Sequence, residues 1–268
     1  MNNVSKTLYI PLYGKAYVSK KNIIINDSKA EKIWANEGFE LKGKSKSKWL
    51  AYYMAMRSAI YDEWVEQKLA ENSDAIVLHI GCGMDSRIER VTAPYVRWYD
   101  IDFPEVISER KKYYTESENY HMISADMRGD EWKKYIEAAR NVVVVIEGVS
   151  IYFSPEELAG MLSNLLTHFS TVNVLMDCYT KKAARISKYK NPINDVGVTD
   201  VYGYDNPQEM AEKSGLSYMK EYDMTPQKYL DELCGIEKIV FKNLFAGAVA
   251  KSMYRMYEFC TQITIDNI

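Results

Sequence analysis

The chain is poor in the residues that build metal centres and disulfide frameworks. Its four cysteines, Cys82, Cys178, Cys234 and Cys260, stand far apart with no CxxC pair, and its three histidines do not cluster with them. That spacing argues against a zinc site and against a stapled fold. No apolar run approaches the roughly 18 residues of a membrane span, and the opening MNNVSKTLYI has no signal-peptide core. We therefore expect a cytoplasmic protein without a membrane or metal partner. A basic excess is missing too: 34 Lys and Arg face 37 Asp and Glu, for a net charge of -3. A nucleic-acid partner, whose phosphates must be neutralised, is not expected. The run Lys42 to Lys48 holds four lysines; it reads as a solvated loop, with the edge of an active-site lid as the alternative.

No repeat and no Pro/Gly-rich linker divides the 268 residues, so a single domain is expected. It has two parts: an N-terminal helical cap over residues 1–73, helical from 28 to 72, and an α/β core over 74–268. From Ala75 onward short β-branched runs alternate with amphipathic stretches, the pattern of βαβ units and a parallel sheet. Strands are predicted at Ala75–Ile80, Tyr95–Ile101, Tyr120–Ser124, Val142–Glu147 and Val172–Asp177. Helices are predicted at Pro104–Glu116, Asp130–Ala139 and Pro155–Phe169. The run Val142-Val143-Val144-Val145-Ile146 is apolar on both faces and belongs in the middle of a covered sheet. Ser154-Pro155-Glu156-Glu157 supplies an N-cap, an N1 proline and first-turn acids. Later come a helix at Pro207–Ser214, a strand at Leu216–Asp223, helical turns from Pro226 to about Lys251, and a last strand over Tyr254–Ile265. The stretch 178–206 reads as a long irregular insertion that could cover a site.

Five signals carry chemistry. Gly81-Cys82-Gly83-Met84-Asp85-Ser86 follows a strand directly, and its glycines would let backbone approach a ligand. A dinucleotide site wants a third Gly or Ala and a free helix N-terminus for pyrophosphate. Here Ser86 takes that position and Asp85 would repel the anion. S-adenosylmethionine has no phosphate and carries an ammonium and a sulfonium, so an acidic site suits it; Asp85 could equally be a helix N-cap. Asp102 stands 19 residues after Gly83, the spacing of an acid that accepts ribose hydroxyls, or else caps the helix opening at Pro104. Asp126, after the third strand, could accept from an adenine amine. Arg128 would then stand at the mouth of the site, or pair with Asp130 or Glu131 on the surface. Glu147 ends the most buried strand and needs a partner there: a cationic cofactor, or a salt bridge to a nearby helix. Arg57 interrupts the apolar stripe Leu50, Tyr53, Met54, Ile60, Tyr61, Trp64; it either snorkels outward or meets an anion inside.

Together these stretches resemble the leucine carboxyl methyltransferase and TcmP-like O-methyltransferase family. The resemblance rests on Ile10-Pro11-Leu12-Tyr13-Gly14-Lys15-Ala16, the Arg57 helix, His79 to Arg87, Tyr99 to Val106, Ala125-Asp126 and Ile146 to Val149. It covers most of residues 8–170 and thins out afterwards. It implies a Rossmann-like class I methyltransferase fold: a seven-stranded, mostly parallel sheet with helices on both faces and an N-terminal helical extension. By similarity, Lys15 and Arg57 would hold the methionyl carboxylate of S-adenosyl-L-methionine. Gly81 and Gly83 would line the cofactor, Asp102 take the ribose, Asp126 and Met127 the adenine, and Glu147 the methionyl end. In the protein-methylating branch, residues at the positions of Arg128 and Tyr152 meet the acceptor carboxylate, whereas the IPLYGKA segment looks more like the TcmP-like branch.

The expected reaction is displacement of the sulfonium methyl by an acceptor oxygen. His79, His121 and His168 all read as structural, so no general base is evident. A carboxylate, ionised at neutral pH, needs none, whereas a phenol usually does. A carboxylate on a small-molecule acceptor is therefore expected, oriented by Arg128 and Tyr152. The alternatives are a protein C-terminal carboxylate, a phenol, or a non-catalytic protein on the same scaffold. A nicotinamide-dependent oxidoreductase is disfavoured by Asp85, Ser86 and the lack of a catalytic His or Tyr-xxx-Lys pattern.

Overall fold

In the computed structural model, residues 7–36, 41, 43–187 and 200–262 are described. Seven strands form one sheet: β1 (Ile76–Ile80), β2 (Arg97–Asp102), β3 (Tyr120–Ser124), β4 (Asn141–Ile146), β5 (Thr171–Tyr179), β6 (Leu216–Tyr222) and β7 (Tyr254–Thr261). Their order is β3-β2-β1-β4-β5-β7-β6. The pairs among β1 to β5 are parallel, and β7 runs antiparallel to both β5 and β6. This is the Rossmann-like class I methyltransferase sheet that the sequence led us to expect.

The valine run accounts for the centre of the sheet. In β4, Val143 and Val145 pack into one hydrophobic layer while Val142, Val144 and Ile146 pack into the other. A strand apolar on both faces is stable only where helices cover both. On one side lie α1 (Tyr9–Ser19), α2 (Ser28–Asn36) and the long α3 (Lys48–Glu71), whose Tyr61, Trp64 and Val65 join the Val143 layer. On the other lies α6 (Pro155–Leu166), closed by the capping box of Ser154 and Glu157, with Leu158, Leu162 and Leu165 inward. After β1 and β2 come α4 (Arg87–Arg90) and α5 (Pro104–Arg110). The C-terminal third adds α7 (Lys181–Ser187), α8 (Pro207–Ser214), α9 (Gln227–Glu232), α10 (Gly235–Leu244) and α11 (Ala248–Met253).

Several predicted elements change length. The helix predicted over Asp130–Ala139 is only a 3₁₀ turn, Glu131–Lys134. Lys133 Nζ bonds Asp130, Asn164 and Thr167, which ties this turn to α6, and Trp132 and Ile136 suffice to anchor it. The helix from Pro104 stops at Arg110, whose guanidinium turns inward to Asp100. Helix α1 lies ahead of the predicted helical region despite Pro11 and Gly14. Gly14 earns its place: a Cβ there would stand 3.1 Å from Met54 Cβ and 3.3 Å from the Ala51 backbone, so α1 and α3 approach at glycine distance. Within 178–206, β5 runs to Tyr179, α7 follows, and Tyr204 is buried with its hydroxyl on the Phe153 carbonyl at 2.6 Å. Residues 188–199 of that segment, and the predicted strand end beyond 262, lie outside the described residues.

Candidate active site

The register of the sheet brings the functional side chains together. Ile80 pairs with Ile101 and with Ile146, and Ile146 pairs with Met176. The next residue on each strand is therefore in one row: Gly81, Asp102, Glu147 and Asp177. The row opens on a cavity of about 640 Å³, roofed by α1, the start of α3, α7, α10 and α11, within the size range of small-molecule sites.

The glycine turn forms its floor. Gly81 has φ +65°, and a Cβ there would fall 2.2 Å from Val149 Cγ2. Gly83, at φ +51°, donates its N–H to Asp102 Oδ2 at 2.9 Å, and Phe103 donates to Oδ1 at 2.7 Å. Burial pushes the Asp102 carboxyl up, and the two N–H groups only partly offset this. A carboxylate has about four acceptor sites; these bonds occupy two and leave room for hydroxyl donors. The helix after Asp102 takes Phe103 as N-cap without a side-chain bond, so Asp102 braces the glycine turn rather than capping that helix.

Lys15 is buried and reaches Asp85 Oδ2 at 2.9 Å. Arg90 lies 3.0 Å from Asp85 Oδ1, and the Arg87 backbone donates to the same oxygen at 2.9 Å. Against the pull of burial, Lys15, Arg90 and Arg87 hold the Asp85 carboxyl well below the usual range. Ser86, not Asp85, is the N-cap of α4; the Asp85 carboxylate accepts from the Arg87 N–H and fixes a lysine of the cavity wall.

Arg57 meets anions inside. Its Nε donates to Glu147 Oε1 at 3.0 Å, and its Nη1 donates to Asp177 Oδ2 at 3.0 Å and to the Tyr254 hydroxyl at 3.1 Å. Nη2 takes no part in these bonds and lies 3.1 Å from where a Cβ on Gly148 would stand. Glu147 also accepts from Ser58 at 2.9 Å and from Arg87 Nη2. Burial opposes its ionisation, yet Arg57 and Arg87 outweigh that and hold its carboxyl at about 2. Of the two partners envisaged for Glu147, the structure supplies the helix salt bridge. Asp177 was not singled out from the sequence. Its Oδ1 accepts from Tyr61 at 2.8 Å and from the Gly148 N–H at 2.7 Å. The signal was available: Asp177 ends a predicted strand just as Glu147 does.

His79 is spoken for at both nitrogens. Arg87 donates to Nε2 at 3.1 Å, so Nδ1 carries the proton and donates to Asp100 Oδ1 at 3.1 Å. His121 stacks on Tyr99, and His168 Nε2 bonds the Ile136 carbonyl at 2.8 Å. Tyr152 lines the cavity with its hydroxyl on Thr7 Oγ1 at 3.0 Å, and burial pushes its pKa up. Asp126, Met127 and Arg128 do not line the cavity. Arg128 clasps Asp126 through Nε and Nη2 at 3.0 and 2.6 Å and reaches Glu157 at 3.3 Å, with the guanidinium side chain 45% exposed. Neither Asp130 nor Glu131 is its partner. Met127 is buried in the layer behind β4.

The profile of the leucine carboxyl methyltransferase family matches residues 11–166, more than half of the chain. The chain belongs to the leucine carboxyl methyltransferase family. The tetracenomycin polyketide synthesis O-methyltransferase of Streptomyces glaucescens is 28% identical over 243 residues, covering 90% of each chain. An S-adenosyl-L-methionine-dependent methyltransferase of Gibberella zeae is 24% identical over 242 residues, covering 81% of each. Among solved structures, the magnesium protoporphyrin IX methyltransferase of Synechocystis PCC 6803, solved with bound SAH, superposes with a TM-score of 0.54 at 12% identity, over 87% of this chain and 93% of that one. At this identity the superposition shows the shared fold.

As a leucine carboxyl methyltransferase family member, the protein is an S-adenosylmethionine-dependent methyltransferase. The cavity residues fit that cofactor. Gly81, Gly83 and Gly148 leave backbone open along its floor, Asp102 keeps acceptor sites for hydroxyls, and Arg57 Nη2 with the remaining Lys15 protons offers donors to a carboxylate.

Proposed function

We propose that the enzyme methylates an oxygen, specifically the carboxylate of a small-molecule acceptor held in the chamber under α1, α7, α10 and α11. One observation carries this reading: among the described cavity residues, Asp102 keeps open acceptor sites, which this reading gives to the ribose, while the other acids and the histidine are already bonded. His79 is bonded at both nitrogens. Glu147 and Asp85 are saturated by cations that keep them ionised and weakly basic. Burial raises the pKa of Tyr53 and Tyr152 and keeps them protonated. An acceptor that is already an anion needs none of these groups. The Streptomyces relative, named as an O-methyltransferase of polyketide synthesis, supports an oxygen acceptor and a small molecule.

Bound S-adenosylmethionine supplies an electrophilic methyl group on a sulfonium. In this reading Arg57 and Lys15 anchor its carboxylate, Asp102 accepts its ribose hydroxyls, and Gly81 and Gly83 let the nucleoside lie against the turn. Glu147 and Asp177 hold Arg57 in place. Tyr152 exchanges its hydroxyl's bond to Thr7 for one to the acceptor carboxylate, and the apolar walls exclude water. Alignment of two reactants in this way is worth about 7–11 kcal/mol of barrier. Helix α7, within the 178–206 stretch, serves as part of the roof over the acceptor. The four free cysteines support a reducing, cytoplasmic setting.

Methyl transfer from radiolabelled S-adenosylmethionine to a panel of aromatic and aliphatic carboxylic acids and matched phenols tests the reading. The product is then treated with alkali. A carboxyl methyl ester releases labelled methanol; an aryl methyl ether retains the label and overturns the carboxylate assignment.

A further inference from the structure

Nine large hydrophobic side chains are exposed among the described residues, and five of them sit on the three C-terminal helices that roof the cavity: Ile186 on α7, Ile236, Ile239 and Leu244 on α10, and Val249 on α11. Scattered exposed aliphatics need no explanation, but a cluster of them marks a binding surface. Three of the five, Ile186, Leu244 and Val249, also line the cavity. They are therefore its rim, open to solvent and facing the interior at once. From Leu244 the row continues backward along α10 at i−4 steps through Val240 to Ile236, with Ile239 beside it. On this helix only Phe241 is buried; Ile236 is 78% and Ile239 62% exposed. At 1.5 Å per residue the stripe from Leu244 to Ile236 runs about 12 Å beyond the rim. The walls within are apolar too: Trp49 stacks on Phe245 at 5.5 Å and 15°, both in the cavity lining.

We propose that the acceptor is an amphiphile whose acidic head is held inside and whose apolar body is longer than the chamber, leaving between Ile186, Leu244 and Val249 to lie along α10. The head group rests on the carboxylate reading above; the path for the body rests on the exposed aliphatic row alone. The continuity of that row with the cavity decides its occupant. A polar acceptor would gain nothing from it, and an unrelated protein surface would not need its contacts to run into the chamber.

The test is calorimetric, with the full-length protein saturated with S-adenosylhomocysteine. It is titrated with butanoate, octanoate and dodecanoate, and with the matching 1-alkanols, below their aggregation limits. Affinity for the acids should rise by up to about fourfold per added methylene, the value for full burial, and keep rising from octanoate to dodecanoate. Ile239→Asp, on the exposed face and away from the cavity, should weaken dodecanoate binding about tenfold and leave butanoate unchanged. No gain beyond octanoate, or an equal effect of I239D on short and long acids, overturns the path. A change of sedimentation mass in I239D also overturns it, by making α10 a contact between copies of the chain. Length-dependent binding of acids and alkanols alike, with no acid methylated, upholds the path and sinks the carboxylate reading instead. Methylation of acids without length dependence does the reverse.

Discussion

Arg57 Nε donates to Glu147 Oε1 across 3.0 Å, joining the helix above the sheet to the tip of its central strand. With Asp177 on Nη1, the guanidinium is clamped on two edges and presents the third to the cavity. Arg87 shares Glu147, so two guanidiniums answer the two carboxylates, and Nη2, outside these bonds, is the edge proposed to anchor the cofactor carboxylate. Removing Arg57 outright would strand two buried acids and cost about 3–5 kcal/mol of stability, so alanine confuses folding with binding. Arg57→Lys keeps the charge and loses the fork. It should weaken S-adenosylhomocysteine about 10- to 100-fold, the worth of one charge-assisted hydrogen bond of about 1.5–3 kcal/mol, with the acceptor KM nearly unchanged. Isothermal titration with the cofactor product and steady-state kinetics separate the two; equal losses on both sides would reject Nη2 as the cofactor anchor.

Gly81 makes a second, steric prediction. An alanine Cβ would collide with Val149 Cγ2 at 2.2 Å and the backbone is at φ +65°. Left-handed strain of roughly 1–2 kcal/mol and overpacking of about 1–3 kcal/mol should lower the melting temperature of Gly81→Ala by several degrees and weaken the cofactor. Adding Val149→Ala relieves the collision and not the φ. Differential scanning fluorimetry should therefore show partial recovery in the double variant, and full recovery would mean the turn is unstrained.

The strand tips were legible in the sequence because a parallel sheet with apolar runs sets its own register. Once Ile80, Ile101 and Ile146 are aligned, Gly81, Asp102 and Glu147 must follow in one row. Asp177 belongs to that row and was passed over, since no glycine turn flags it. The partners were not legible. That Glu147 meets Arg57, Ser58 and Arg87, and that His79 sits between Arg87 and Asp100, depends on how α3 and α4 lie over the sheet, which spacing along the chain does not fix. For the same reason Arg128, next to Asp126 in sequence, satisfied a motif yet spends its guanidinium on Asp126 and Glu157 outside the cavity. Helix α1 was hidden by Pro11 and Gly14, which tertiary packing against α3 tolerates.

Arg128 and Tyr152 can be ranked by experiment. Arg128 is half exposed and its pairs are solvent-screened, so Arg128→Ala should change stability by no more than about 0.5 kcal/mol and the acceptor KM by less than about twofold. Tyr152 lines the cavity, and Tyr152→Phe should raise the acceptor KM about five- to tenfold, the worth of one hydrogen bond of about 1 kcal/mol or slightly more, with cofactor affinity intact. A larger effect from Arg128 than from Tyr152 would return the arginine to the acceptor.

Acid should unfold the protein through its buried acids. Glu147 and Asp100 are both held at about 2, below their ordinary values, by the arginines that overcome burial: Arg57 and Arg87 for the first, Arg110 for the second. A depressed folded pKa means the unfolded chain binds more protons, so stability is full above the ordinary carboxylate range and falls as pH drops toward about 2. Thermal midpoints should be flat near neutrality and decline steadily below about pH 4.5. Glu147→Gln should start from a lower midpoint and lose less on acidification. A variant as acid-sensitive as the parent would show that the loss comes from elsewhere.

The chemistry itself should be nearly indifferent to pH. With His79 bonded at both nitrogens and Glu147 held at about 2, neither is placed to switch transfer on near neutrality. For a carboxylic acid acceptor, kcat/KM should be level between about pH 6 and about 9, since acceptor ionisation is complete well below that window. A phenol acceptor would instead give a limb rising tenfold per pH unit toward its own pKa of about 10. A limb that bends near about 6.5 would betray an imidazole base. His79→Asn distinguishes that case: loss of the bend with the same plateau makes the histidine the proton acceptor, whereas loss of stability with a level profile leaves it the buried link between Arg87 and Asp100.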